Sequence, residues 1–435
     1  MVARGRVLVI EEVPSQETFA LWDGVRAEGW DVTAAPLAAT VDAVRRAAPD
    51  VVVLNLHGAG DADRRALYLQ AAGRLALTRT PRRPPILLVG DAGPDEKPLG
   101  VADVIRGPYS ARHVAQRIGS LSRLSTMQQE MMRRVETAGQ YGVVPPELEP
   151  SNQFHEPKVL VVGAGIRYFA IERTLARRAT LVGAFTVDTA LDYLERQAFD
   201  CVVLNMRVQE AAEFTARLRR NVDHFALPVV VLADPREVDE VDAAYAAGAD
   251  DVVFHSGESA IFAERVATVL KEHRLRESLK AAYARSRDRA TNDALTGLFA
   301  RGFLLDHLSR MVEAAAHGGR LSIVGFRIAN IDEVNRQHGY AAGDHLIRQV
   351  GTVIGRLVRG EDLAARPGGG RFVIVLPDTH VDDAAGVAAR LGAVLRATRF
   401  ALPGASEPVS AEVVSAVADR IDGDDAESLV ARVTL

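Results

Sequence analysis

The sequence predicts an α/β multidomain protein in which two doubly wound parallel sheets precede a smaller α+β domain. Three observations carry that reading. Short β-branched runs alternate with Ala/Leu/Arg-rich helical stretches, the signature of βα units. The segment PDVVVLNLHG at 49–58 recurs as FDCVVLNMRV at 199–208, so the unit occurs twice. Beyond residue 270 the pattern changes, and LSIVGFRIA (321–329) and RFVIVLP (371–377) stand around a Gly-Gly turn. A chain of 435 residues fits about three domains of ordinary size.

In chain order, RVLVI (6–10) pairs with KVLVV (158–162) as the first strand of each copy. PPILLVGD (84–91) matches LPVVVLAD (227–234), and ADVIRGPY (102–109) matches GADDVVFH (248–255). Such strands read as continuous apolar runs because helices cover both faces of the sheet. The two units occupy 1–122 and 157–272. Residues 118–136 place Leu121, Leu124, Met131 and Val135 at heptad-like spacing before the proline-bearing stretch YGVVPPELEPSNQ. The reading is a helix extending from the first unit into a linker, 123–156. From Ser259 a second long helix carries Phe262, Val266 and Val269, then Leu275, Leu279 and Tyr283. Its first part packs on its own sheet, and 273–292 reads as a signalling helix leading to the last domain, 293–435.

Composition excludes several classes. The formal charge is −5, from 57 acids against 52 bases, too balanced for nonspecific nucleic-acid binding. The lone Cys201 lies in an apolar run and predicts a buried structural thiol. No apolar run approaches the roughly 20 residues needed to cross a bilayer. The N-terminus enters a strand within a few residues rather than a signal peptide, so a cytoplasmic location is expected, without membrane insertion.

The strand order and the Asn after each third strand resemble receiver domains of two-component signalling, which implies flavodoxin-like sheets. A working receiver needs an acidic pair after strand 1, a phosphoacceptor Asp after strand 3, Ser/Thr after strand 4 and Lys after strand 5. The first copy has Glu11 and Glu12, then Asn55, Gly90 and Gly107; the second has Gly163 and Ala164, then Asn205, Ala233 and His255. An amide forms no acyl phosphate, so both copies are expected to be pseudo-receivers used for packing, dimerisation or partner docking. Glu11 and Glu12 are expected to be a solvated loop pair without a ligand, with Mg²⁺ binding as the alternative.

The third domain opens on Asn292-Asp293-Ala294-Leu295-Thr296-Gly297-Leu298 and Arg301. It continues through Asn335, Gly339, Gly343-Asp344, Arg359, Asp362, Arg366, Gly368-Gly369, Phe372 and LPDT at 376–379. These spaced anchors resemble the GGDEF domains of diguanylate cyclases. The resemblance implies a ferredoxin-like α+β palm, with helices 341–358 and 380–396 on one face and a hairpin at GGGRF. It also implies two-metal chemistry on GTP, held by carboxylates. Here the metal-ligand position is Arg327, the second acid is Ala329, the phosphate-contacting Lys is Asp332, and the hairpin acids are Gly370 and Arg371. A guanidinium about 4 Å from a divalent ion costs about 8 kcal/mol at an effective dielectric near 20. Catalysis and a catalytic metal are therefore not expected. Asn335 and Asp344 resemble guanine-reading residues of a vestigial nucleotide site; the residues themselves read more simply as caps, one of a turn and one of the helix after Gly343.

Arg359, Asp362 and Arg390 match the family's inhibitory site for cyclic di-GMP. A guanidinium donates two parallel hydrogen bonds to guanine O6 and N7, a carboxylate accepts from N1 and N2, and arginine pairs with phosphates. The alternative is a surface ion pair at i,i+3. The end of the chain, DDAESLVARVTL, departs from the family pattern and is expected to leave an apolar surface. The architecture is similar to that of alphaproteobacterial cyclic di-GMP effectors, which implies a non-enzymatic homodimer recruiting adaptor or protease-substrate proteins for ClpXP proteolysis in cell-cycle control, with localisation at the cell pole. An active cyclase with an atypical site is the alternative, and a phosphorylation-gated regulator is disfavoured by Asn55 and Asn205.

Overall fold

The structure, a computed structural model, describes residues 4–12, 14–57, 62–78, 83–90, 100–107, 109–143, 156–163, 167–176, 178–221, 223–254, 259–285, 290–316 and 319–434. The chain forms two compact units: Ala3–Leu124 with Glu149–Glu277, and Ser125–Leu148 with Ser278–Leu435.

In the first unit, β1 (Arg6–Ile10), α1 (Gln16–Ala27), β2 (Asp31–Ala35), α2 (Thr40–Ala47), β3 (Val51–Asn55), α3 (Ala62–Leu77), β4 (Ile86–Val89), β5 (Val101–Ile105) and α4 (Ala111–Gln140) follow in order. The second copy runs β6 (Lys158–Val162), α5 (Arg167–Leu175), β7 (Thr180–Ala184), α6 (Val187–Arg196), β8 (Cys201–Leu204), α7 (Val208–Arg220), β9 (Val229–Ala233), α8 (Val241–Ala246), β10 (Asp251–Phe254) and α9 (Ser259–Arg285). Both sheets are parallel, with orders β2-β1-β3-β4-β5 and β7-β6-β8-β9-β10. The repeat read in the sequence is thus a repeat of topology. Val51–Leu54 and Cys201–Leu204 are fully buried, as strands covered on both faces must be. Burial also pushes the Cys201 thiol far above its ordinary pKa, which makes it a packing residue.

The two copies meet through buried charge. Arg117 on α4 donates from Nε to Asp103 on β5 (2.8 Å) and from Nη2 to Glu272 on α9 (2.7 Å). Fourteen residues after Asp251 on β10, as Arg117 follows Asp103, Arg265 donates to Asp251 (2.5 Å) and across to Asp103 (2.7 Å). Arg117 is 1% exposed and Asp251 1% exposed. Burial alone would raise the Asp251 carboxyl, but Arg265, His113 and Arg117 pull it well below the usual carboxylate range. The Asp-x₁₃-Arg spacing was present in both copies of the sequence, hidden because a search for apolar repeats ignores it.

The second unit holds β11 (Phe299–Ala300), α10 (Arg301–Ala315), β12 (Leu321–Ile328), α11 (Ile331–His338), α12 (Tyr340–Leu357), β13 (Leu363–Gly368), β14 (Arg371–Pro377), α13 (Val381–Ala397), β15 (Arg399–Phe400), β16 (Val409–Ser410), β17 (Val413–Asp419) and α14 (Ala426–Ala431). The sheet order β11-β13-β14-β12-β17, antiparallel except at β11–β13, is a ferredoxin-like core with one added edge strand. Helices α12 and α13 cover one face with Leu346, Val350, Ile354 and Leu391. Helices α10 and α14 cover the other, through Phe303, Leu308 and Leu429, with Val433 just beyond α14. The expected apolar surface at the end of the chain is therefore corrected: a Cβ on Gly325 would lie 2.0 Å from the Val433 carbonyl, so these residues seal the sheet.

The segment read as a linker, 123–156, begins as helix, and its helical residues 125–140 belong to the second unit. Its buried side is not the Met131–Val135 stripe, since Val135 is 37% exposed. Thr126, Met127, Glu130, Arg134 and Thr137 are buried instead. A polar buried stripe is invisible to hydrophobic periodicity. The side chains of Leu279 and Tyr283 lie outside the described residues.

Replacing Arg265 by Met leaves Asp103 and Asp251 short of a buried counter-charge, for which about 3–5 kcal/mol of destabilisation is expected. Urea unfolding followed by fluorescence of the buried Trp22 and Trp30 measures it; a midpoint shift worth under about 1 kcal/mol contradicts the role given to this network.

Candidate functional site

At the carboxyl end of the first sheet, Asn55 closes β3 and is buried; its Nδ2 donates to Glu11 Oε2 (3.0 Å) and its Oδ1 accepts from His57 N (3.1 Å). Trp22 Nε1 also donates to Glu11 (3.3 Å). The expectation of a solvated acidic pair is corrected for Glu11, which is 7% exposed, while Glu12 is exposed. The amide does for Glu11 what a cation does between two carboxylates: it supplies positive charge to a desolvated oxygen. Gly90 and Gly107 offer no side chain to this end of the sheet.

In the second copy the acidic position is closed sterically. Gly163 has φ +119°, and a Cβ there would sit 2.2 Å from the Asn205 carbonyl, so a carboxylate side chain has no room. Asn205 is buried and its Nδ2 has no hydrogen-bond partner among the described residues. Ala233 ends β9, whereas Ala164 and His255 lie outside the described residues.

In the second unit, Arg327 on β12 stands opposite Arg371 on β14. Arg327 is half-buried, its Nε enclosed without a hydrogen-bond partner among the described residues. Ala329 and Asp332 are exposed. Gly370 accepts from Ile328 N (2.9 Å), and a Cβ there would make ordinary contacts of 3.5 Å with Ile328 and Ile331. Crowding therefore does not explain the missing acid at this hairpin. Two guanidiniums and a glycine do not fit a pair of divalent cations.

Asn335 lies inside α11 and Asp344 inside α12, so neither is the cap expected from sequence. Gly339 occupies the start of α12, without a side-chain cap. The packing nonetheless brings the two positions together, because a Cβ on Gly343 would fall on the Asn335 Oδ1. Asp344 itself is exposed.

Arg359 to Asp362 form a tight turn before β13. Asp362 N donates to Arg359 O (3.2 Å), and Arg359 N donates to Asp362 Oδ2 (2.8 Å). Asp362 is 6% exposed. Burial, with Glu361 nearby, pushes its carboxyl up to about 7 against the pull of Arg359. The Arg359 and Arg390 side chains are exposed and have no hydrogen-bond partner among the described residues. The expected i,i+3 surface ion pair is absent there: the carboxylate bonds the backbone of Arg359 rather than its guanidinium.

Helix α4 holds the same turn from behind. Arg134 donates from Nη1 to Gly360 O (2.9 Å) and from Nη2 to Glu361 O (2.6 Å), and its Nε reaches Glu130 (3.3 Å). Glu130 also pairs with His307 and Arg133; burial raises its carboxyl, but His307 and the two arginines draw it down to about 2. Burial lowers the His307 pKa against the pull of Glu130; the ring meets Glu130 through Nε2 and the Thr137 hydroxyl through Nδ1 (3.0 Å). Tyr141 donates to Asp306 (2.6 Å) at the end of this run. The sequence reading missed these residues. The signal was the spacing of Glu130, Arg134, Thr137 and Tyr141, which share one helix face. Arg366, by contrast, anchors the domain entry: its Nη1 bridges both oxygens of Asp293 at 3.0 and 2.9 Å.

Residues 290–434 match the family model described as "Diguanylate cyclase, GGDEF domain". Over 239 residues the chain is 28% identical to the response regulator PleD of Caulobacter vibrioides, covering 54% of this chain and 52% of PleD. It is 33% identical over 126 residues to the diguanylate cyclase DgcP of Pseudomonas aeruginosa, covering 28% of this chain and 18% of DgcP. The chain thus spans about half the length of PleD and less of DgcP. Among solved structures, the GGDEF domain of DgcB from Caulobacter crescentus in complex with c-di-GMP is 27% identical, covers 33% of this chain and 86% of that one, and gives a TM-score of 0.32. Among the described residues, no helix is long and apolar enough to cross a membrane.

The geometry at Asn55 makes an asymmetric prediction. Asn55→Asp sets two carboxylates against each other, and about 1–3 kcal/mol of stability should be lost at pH 7. The loss should shrink on adding Mg²⁺. Thermal melts with and without the ion check this; equal stability of the two proteins at pH 7 refutes the pairing.

Proposed function

We propose that the chain is a catalytically silent GGDEF protein that binds cyclic di-GMP at Arg359, Asp362 and Arg390 and uses the bound state to recruit protein partners. The observation that carries the reading is the contrast between two positions in one domain. Where the family's chemistry needs carboxylates, Arg327 stands opposite Arg371. Where its inhibitory site needs two arginines and an aspartate, all three are present, with both guanidiniums exposed. Guanidiniums offer bidentate donation to guanine and to phosphate, at about 1–3 kcal/mol per good pair. Several such pairs supply the roughly 8 kcal/mol of micromolar binding.

The pairing of two receiver-like sheets supports a scaffolding role for the first unit. Asn55 already hydrogen-bonds Glu11, and Gly163 leaves no space for an acid, so phosphorylation is not the input in this reading. The likeness to alphaproteobacterial cyclic di-GMP effectors extends it to a homodimer that delivers cell-cycle proteins to the ClpXP protease in the cytoplasm, at the cell pole.

Calorimetry with cyclic di-GMP tests the binding. A Kd of about 1 µM or tighter is expected, weakened about tenfold or more in Arg359→Gly and in Arg390→Ala; unchanged heats in both variants remove the site. Guanine N1 and N2 donate only to an ionised Asp362, so affinity should rise from pH 6 to pH 8 around the carboxyl's value of about 7. The same raised value means the folded chain keeps a proton that the unfolded chain has released above pH 4. That contribution to stability is full in acid and gone once pH passes about 7. Incubation with GTP and Mg²⁺ should yield no cyclic dinucleotide, and any magnesium-dependent product overturns the non-enzymatic reading.

A further inference from the structure

Resting on that reading, we propose that residues 125–141 of the second unit form an intrachain latch on the Arg359–Asp362 turn, and that dinucleotide binding and docking of this helix oppose each other. Arg134 holds the carbonyls of Gly360 and Glu361 together. These are the two residues between the arginine and the aspartate that a guanine would engage. With them drawn toward α4, the Asp362 carboxylate turns in and is closed by the Arg359 N–H. A ligand that accepts Asp362 as a partner has to rotate this turn outward, and the carbonyls then leave Arg134.

The latch is built to hold. Arg134 is itself buried and oriented by Glu130. Glu130 is 0% exposed and fixed by His307, and Tyr141 secures the far end at Asp306. None of these side chains touches Arg359 or Arg390 among the described hydrogen bonds and ion pairs. Arg134 also bears on the Asp362 carboxyl by its charge, which opposes the rise caused by burial; the other side chains act through the turn. Two processes that demand different positions of one segment are negatively coupled, and the coupling is reciprocal: whatever loosens the helix tightens the ligand, and the ligand loosens the helix.

The test uses the full chain. Calorimetry with cyclic di-GMP should show Arg134→Ala binding about fivefold more tightly than the wild type, or better. Tyr141→Phe, which deletes one hydroxyl against the exposed Asp306, should move affinity the same way by about twofold; it keeps the test open if Arg134→Ala fails to fold. Hydrogen exchange across 125–141 of the wild type should accelerate on saturation with the dinucleotide. Equal or weaker affinity in the folded variants, or slower exchange on ligand addition, overturns the latch and leaves the binding reading standing. Absence of binding in the wild type and in both variants overturns the two together.

Discussion

A charge withdrawn from water must be met by an opposite charge or by well-placed donors, because the desolvation penalty otherwise exceeds what packing returns. Helix α4 is built around that constraint. In the first unit its Arg117 is enclosed by Asp103 and Glu272. In the second, Glu130 and Arg134 are enclosed by His307 and by the carbonyls of the Arg359–Asp362 turn. Such contacts contribute modestly to net stability but penalise mispairing heavily. They therefore specify which surface the helix meets more than how tightly it is held.

The same constraint is met at the carboxyl ends of the strands. At β3 the amide of Asn55 supplies a donor to the buried Glu11 carboxylate. At β8 the acid is excluded because Gly163 runs against the Asn205 carbonyl. On β12 and β14, Arg327 and Arg371 stand opposite each other. Asn55, Arg327 and Arg371 sit at or near the ends of their strands, and the strands' burial rests on the apolar residues beside them.

Those apolar runs are also why the architecture was legible in the sequence. VVVLN and CVVLN could be neither exposed strands nor surface helices, and their recurrence fixed the two parallel sheets. The spaced anchors from Asp293 to Phe372 placed the palm, and the Gly-Gly hairpin fell where it was read. What escaped was polar and buried. Glu11 looked like a solvated acid because its neighbour Glu12 is one, and only Asn55 and Trp22, distant in sequence, show otherwise. Glu130, Arg134 and Thr137 looked like the outside of an amphipathic helix. Apolar periodicity reports a helix face correctly only when its contact surface is apolar.

That failure bears on the recognition turn itself. An RxxD motif read as a sequence presents arginine and aspartate as equals, both facing a ligand. In the fold they are separated by function: Arg359 and Arg390 are exposed, whereas Asp362 is enclosed and carries a carboxyl raised to about 7. In the proposed binding the guanidiniums meet a phosphate or a purine face where they stand, whereas Asp362 reaches guanine only when its turn opens. Because Arg134 on α4 holds the carbonyls of that turn, the proposed latch ties the second step to the helix.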